Sequence, residues 1–150
     1  MTLENLLAIH RLQAFEATPD GVQRLLASAE RNLVDVRLAG LSADNRFDAA
    51  YKAIMQCAMI GLWANGYRTA TSQPGHHQTA LQTLPKTMGL DQDTVIVLDA
   101  LRKQRNLNDY EGAPVTDAAV AECMAQAEAL IVHTRQWLAR HRPDLLGKNP

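Results

Sequence analysis

The stretch that decides the fold is Phe47–Tyr67, FDAAYKAIMQCAMIGLWANGY. Its apolar residues recur every three or four positions, the spacing of one face of an α-helix. Ser42 or Asp44 can cap this helix, which we expect to run to about Asn65. A helix with so wide an apolar surface lies at the centre of a bundle, or a partner covers it. The predicted inward face carries Phe47, Tyr51, Ile54, Ala58 and Leu62.

Five more helices are predicted outward from this segment, and no strand is predicted, because no segment alternates apolar and polar residues. Asp91 and Thr116 are the expected caps of the last two helices. The expected fold is all-α, an up-down bundle of five or six helices in one domain, 1–150, with a core of about 20–140. The other predicted helices cover about 3–17, packed on the core, then 20 to a stop at Gly40, 76–88, 92–108 and 117–140, before a frayed tail at 143–150.

The net charge, the cysteines and the length of the apolar runs limit which partners and which compartment the chain is expected to have. The 150 residues carry a formal net charge of −1, so the chain has no global attraction to nucleic acid or to acidic membranes. Cys57 and Cys123 lie in apolar helical stretches, which favours a reducing compartment without disulfides. The apolar runs are shorter than the about 20 residues that span a bilayer. We therefore expect a soluble, cytoplasmic protein that does not contact a membrane.

The densest polar cluster is Arg102–Tyr110, RKQRNLNDY, at the end of a predicted amphipathic helix. Arg105 follows Leu98 and Leu101 by seven and four positions, which places it close to the inward face. Asp109 lies four positions further on, within reach of an ion pair. Two interpretations stay open: a structural Arg–Asp pair, or a phosphate site at which the arginine supplies a planar fork of donors. The sequence has no glycine-rich phosphate loop, paired CxxC or HExxH motif, so no metal or cofactor is expected.

The order of these segments resembles the HEPN (higher eukaryotes and prokaryotes nucleotide-binding) family. Its signature is an arginine, commonly followed by a polar residue, then four to six residues to a histidine, often with a tyrosine nearby. Here Arg105 is followed by Asn106, and Tyr110 ends the motif. The resemblance covers about residues 20–140. The other similar segments are the apolar helix 47–67, Gly75-His76-His77-Gln78 and the closing AEALIVHTRQWL at 127–138.

The resemblance implies a helical homodimer directed to RNA, either a metal-independent endoribonuclease or a toxin-type component of a toxin–antitoxin or defence system. A nucleotidyltransferase or antitoxin is the implied partner. The chain departs from the signature because Asp109 and Tyr110 stand where the histidine is expected, so His76 or His77 would have to supply the imidazole. The alternative is a non-catalytic dimeric module that binds a nucleotide or a partner protein. The expected catalytic residues are Arg105, Asn106, Asp109 and Tyr110, and the expected phosphate or RNA contacts are Arg102, Lys103, Arg105, His76 and His77.

Overall fold

Helices dominate the part of the chain that the structure, a computed structural model, describes, which is residues 1–147. This confirms the predicted all-α, bundle-like class. A short two-stranded sheet is the addition that the sequence did not predict. In chain order the elements are α1 Leu3–Ala8, β1 Leu12–Ala14, α2 Pro19–Asp35, α3 Ala43–Ala64, β2 Tyr67–Thr69, α4 His76–Gln82, α5 Leu84–Met88, α6 Gln92–Glu111, α7 Asp117–His141 and a 3-10 helix, Pro143–Leu146.

Helix α3 is the centre of the bundle, and it packs against α2, α4, α5, α6 and α7. Twelve of its 22 residues are buried, which explains why its apolar surface extends beyond one stripe. The Ser42 hydroxyl caps it by accepting from the backbone N–H of Asn45 at 3.1 Å. Small residues allow the neighbouring helices to approach closely. At Gly61, a Cβ atom would lie only 2.8 Å from the Thr87 hydroxyl.

The predicted N-terminal helix 3–17 is wrong beyond Ala8. The chain turns at His10, whose φ is +64°, and then forms β1, which pairs antiparallel with β2. This pairing buries Leu12, which is 1% exposed, and ties the N-terminal segment to the end of α3. The prediction that the chain forms no strand is therefore also wrong. Strands of three residues are too short to establish an alternating pattern, so tertiary pairing decides them.

The boundaries of two other helices differ from the predictions for local reasons. The predicted helix 76–88 is two helices that meet at Thr83, because Pro85 has no N–H to continue the helical hydrogen bonds. Helix α2 ends at Asp35, before the predicted stop at Gly40. Helix α6 continues past residue 108 to Glu111 and ends at Gly112, whose φ is +67°. Asp109 and Tyr110 are consequently helical residues.

The predicted frayed tail is wrong for Pro143–Leu146, because this 3-10 helix packs against α2 and α7. Leu145 is buried, and the Arg142 side chain donates from Nη1 to the carbonyl of Ala64 at 2.6 Å. The last three residues of the predicted tail, 148–150, lie outside the described residues. Within residues 1–147, no helix is both long enough and apolar enough to cross a membrane.

Candidate functional site

Arg105 occupies the inward side of α6, as its spacing from Leu98 and Leu101 predicts, and its side chain is 25% exposed. Its Nε lies 2.8 Å from Oδ2 of Asp109 and 4.0 Å from Oδ1 of Asp48. This Nε is buried and makes no well-directed hydrogen bond, so its contact with Asp109 is an ion pair without good hydrogen-bond geometry. Its guanidinium carbon is 5.7 Å from the centre of the Tyr51 ring, within the range of a cation–π interaction.

A cleft of about 430 Å³ opens beside this arginine. Helix α3 supplies Tyr51, α4 supplies His77, and α6 supplies Arg105. The Tyr51 hydroxyl is 3.3 Å from Nδ1 of His77, and the direction of this hydrogen bond depends on the imidazole tautomer. Tyr51 therefore lies beside both the imidazole of His77 and the guanidinium of Arg105. The remaining lining residues are Leu25, Asp48, Lys52, Met55, Gln56 and Met59.

Burial in the cleft shifts the pKa values of two of its residues, His77 and Tyr51. Burial, reinforced by His76, Arg105 and Arg102, lowers the pKa of His77 from its usual 6.5 to about 4. Burial also raises the pKa of Tyr51 from 10 to about 12, against the opposing effect of Arg105. At neutral pH the cleft thus holds a neutral imidazole, a protonated phenol and a guanidinium.

Two of the predicted phosphate or RNA contacts, Arg102 and Lys103, pair with Asp99 and do not line the cleft beside Arg105. Arg102 Nε is 2.8 Å from Oδ1 of Asp99, and Lys103 Nζ is 3.5 Å from Oδ2 of the same residue. Neither Arg102 nor Lys103 lines the cleft, although Arg102 is close enough to lower the pKa of His77. One carboxylate therefore offsets much of the charge next to Arg105.

Of the other predicted site residues, His76 lies next to a residue that lines the cleft, whereas Asn106 and Tyr110 do not line it. His76 contacts His77 edge to face, with ring centres 4.6 Å apart, so it stands at the margin of the cleft. Asn106 is half-buried and Tyr110 is 79% exposed, and neither lines the cleft. The α6 contribution to this cleft is therefore Arg105, with Asp109 held against it.

Three ionisable lining residues were not predicted as site residues: Asp48, Tyr51 and Lys52. Tyr51 belongs to the apolar stripe of α3, and the stripe alone indicates core. Its hydroxyl is the signal that was available, because a buried phenol normally has a hydrogen-bond partner. The sequence does not identify that partner as His77, which is 26 positions away.

The cleft is open and its charges are balanced. Arg105 and Lys52 supply positive charge, and Asp48 and Asp109 oppose it, so specificity depends on local geometry more than on net charge. Among residues 1–147, no group of three or more His, Cys, Asp or Glu side chains is placed to hold a metal ion. Comparison of the chain with protein-family models, with curated proteins and with solved structures gives no match.

Proposed function

We propose that the chain is a HEPN-like, RNA-directed protein that takes a phosphate of single-stranded RNA between Arg105 and His77. The observation that carries this proposal is the convergence of two side chains on Tyr51 in an open cleft: a neutral imidazole lies at its hydroxyl, and a guanidinium lies over its ring. The resemblance of the Arg105 motif to the HEPN signature supports RNA as the class of ligand. His77, from α4, would supply the imidazole that the motif itself lacks.

The same geometry supports metal-independent cleavage. In the tautomer with hydrogen on Nδ1, His77 donates to the Tyr51 hydroxyl, and Nε2 is free to accept the proton of a ribose 2′-hydroxyl. The 2′ oxygen then forms a bond to phosphorus while the bond to the 5′ oxygen breaks. The 5′ oxygen takes a proton from water, and the hydroxide so formed takes the proton held on Nε2 of His77, which leaves a 2′,3′-cyclic phosphate, a free 5′-hydroxyl and a neutral imidazole. Arg105 neutralises the charge that develops on the phosphate oxygens.

The low pKa of His77 in the free protein fits this role once an anion is bound. A base with a pKa near 4 is always neutral at pH 7 but accepts a proton weakly. A phosphate beside the ring favours the imidazolium and raises this pKa towards the working pH. Binding therefore strengthens the base in the complex in which it is needed.

The test uses purified protein and a fluorescent single-stranded RNA in EDTA, with gel electrophoresis for cleavage and anisotropy for binding. Arg105→Gln and His77→Gln should each remove cleavage, and Arg105→Gln should also weaken binding by about tenfold, the loss of one charge-assisted contact. Arg24→Gln and His141→Gln are the matched controls, because both residues are exposed and outside the cleft. Intact RNA together with no binding at high protein concentration would refute the proposal.

A second candidate is a cytoplasmic, non-catalytic dimer that binds a nucleotide or a partner protein such as a nucleotidyltransferase or antitoxin. The Arg105–Asp109 ion pair favours it, because a paired arginine is less available to a phosphate. Leu107 and Tyr110 add exposed apolar area to the same helix, 44% and 79% exposed. If this candidate is correct, replacing both residues with serine converts a dimer to a monomer in sedimentation. Arg105→Ala then lowers the melting temperature of the protein and does not change the cleavage of RNA. A monomeric wild-type protein would exclude the homodimer.

A further inference from the structure

A second cavity, of about 360 Å³, lies on another side of α4. His77 lines the cleft, and the next residue, Gln78, lines this second cavity. Successive residues of an α-helix point about 100° apart, and the two cavities share no lining residue, so they flank different sides of the same helix. Leu6 from α1 and Lys86 from α5 also line the second cavity.

The charges of this second cavity are all of one sign. Arg11 and Lys86 both line it, and its lining contains no aspartate or glutamate. Within the described residues, neither cation lies within 4.0 Å of a carboxylate oxygen. Arg11 donates from Nη1 to the carbonyl of Pro74 at 3.3 Å, which holds the guanidinium at the cavity and leaves its other N–H groups available. Two like charges facing one cavity are stabilised by an anion between them.

The other polar side chains of the cavity are neutral, and one of them, Thr83, already donates its hydroxyl hydrogen to the carbonyl of Ala80. Gln78 and Gln82 contribute amides, and Thr79 contributes a hydroxyl from a buried position. A phosphate group accepts several hydrogen bonds at once and matches a guanidinium fork, an ammonium and such donors together. The volume falls in the range of about 300–1,000 Å³ that is usual for small-molecule sites.

We propose that this second cavity binds the phosphate group of a nucleotide-sized ligand through Arg11 and Lys86. The site is separate from the RNA cleft and does not depend on Arg105. The phosphate can belong to a free nucleotide or to a nucleotide unit of an RNA strand, and the chemistry of recognition is the same for both. Leu6 offers an apolar surface for the ring or sugar attached to the phosphate.

The experiment measures binding of AMP by calorimetry, and of a short single-stranded RNA by anisotropy, to full-length protein in an Arg105→Gln background. Added Arg11→Gln or Lys86→Gln should each weaken binding by about tenfold, the loss of one charge-assisted contact. Arg24→Gln is the control for a general loss of positive charge, and the melting temperature verifies folding. A loss confined to AMP identifies a free nucleotide as the ligand, and a loss for RNA identifies the strand. If neither affinity falls in the folded variants, the proposal is wrong.

Discussion

Removing the carboxylate of Asp109 should strengthen RNA binding, because this group competes with phosphate for Arg105. The two side chains form an ion pair at 2.8 Å and are 25% and 33% exposed, so water screens them only in part. Asp109→Asn keeps the shape of the side chain and removes its charge. The protein should lose only about 0.3–0.5 kcal/mol of stability, the usual contribution of such a helical pair.

The gain in affinity follows from Coulomb's law. For a phosphate about 6 Å from the carboxylate, repulsion is about 0.7 kcal/mol at the dielectric constant of water and about 2.8 kcal/mol at an effective value near 20. The cleft is open, so the true value lies between these limits. We expect binding to tighten by about tenfold, which corresponds to about 1.4 kcal/mol.

The assay is fluorescence anisotropy with a labelled single-stranded RNA at several salt concentrations. Glu111→Gln is the matched control, because this exposed residue lies on the same helix and does not line the cleft. The effect of Asp109→Asn should shrink as salt rises, since screening weakens charge interactions. Unchanged or weaker binding at low salt would refute the idea that Asp109 limits the access of phosphate to Arg105.

Three further predictions concern the pH response and the packing. Burial lowers the pKa of His77 to about 4, so between pH 6.5 and 4 the unfolded chain binds a proton that the folded chain does not. The free energy of unfolding should therefore decrease as the pH is lowered from 6.5 to 4. His77→Gln should flatten this slope in urea titrations, and an identical slope would contradict it. Leu12→Ala should cost about 2–5 kcal/mol because Leu12 is buried where the two strands pair, whereas the exposed Gln13→Ala should be nearly neutral; equal effects would contradict the strand assignment. Gly61→Ala should cost about 1–3 kcal/mol by overpacking and less in a Thr87→Ala background, and an equal cost in both backgrounds would count against the contact.

The parts of the fold that were predictable are those decided by local periodicity. The apolar stripe of α3 identified the central helix, and Ser42, Asp91 and Thr116 cap their helices as expected. The four-residue spacing of Arg105 and Asp109 identified an ion pair that forms within one helix. Each of these features depends on pairs of residues that are three or four positions apart in the sequence.

The parts that escaped prediction depend on contacts between distant segments. Strand β1 exists because it pairs with β2, 55 positions away at Gln13 and Arg68, and the apolar residues of 3–14 alone look helical. The cleft likewise needs Tyr51 and His77 to meet across two helices. Periodicity assigns Tyr51 to the core and leaves His77 at an exposed helix start, so only the tertiary arrangement reveals a site.

The most direct test of RNA binding at the cleft is an NMR titration of the imidazole of His77 with a 2′-O-methyl RNA, which cannot be cleaved by attack of the 2′ oxygen. His77→Gln assigns its ring signals among the five histidines. A phosphate held between Arg105 and His77 should shift these signals selectively and raise the pKa of His77 from about 4. If RNA binds while the His77 signals and pKa stay where they are in the free protein, the phosphate does not occupy this cleft and the central claim is wrong.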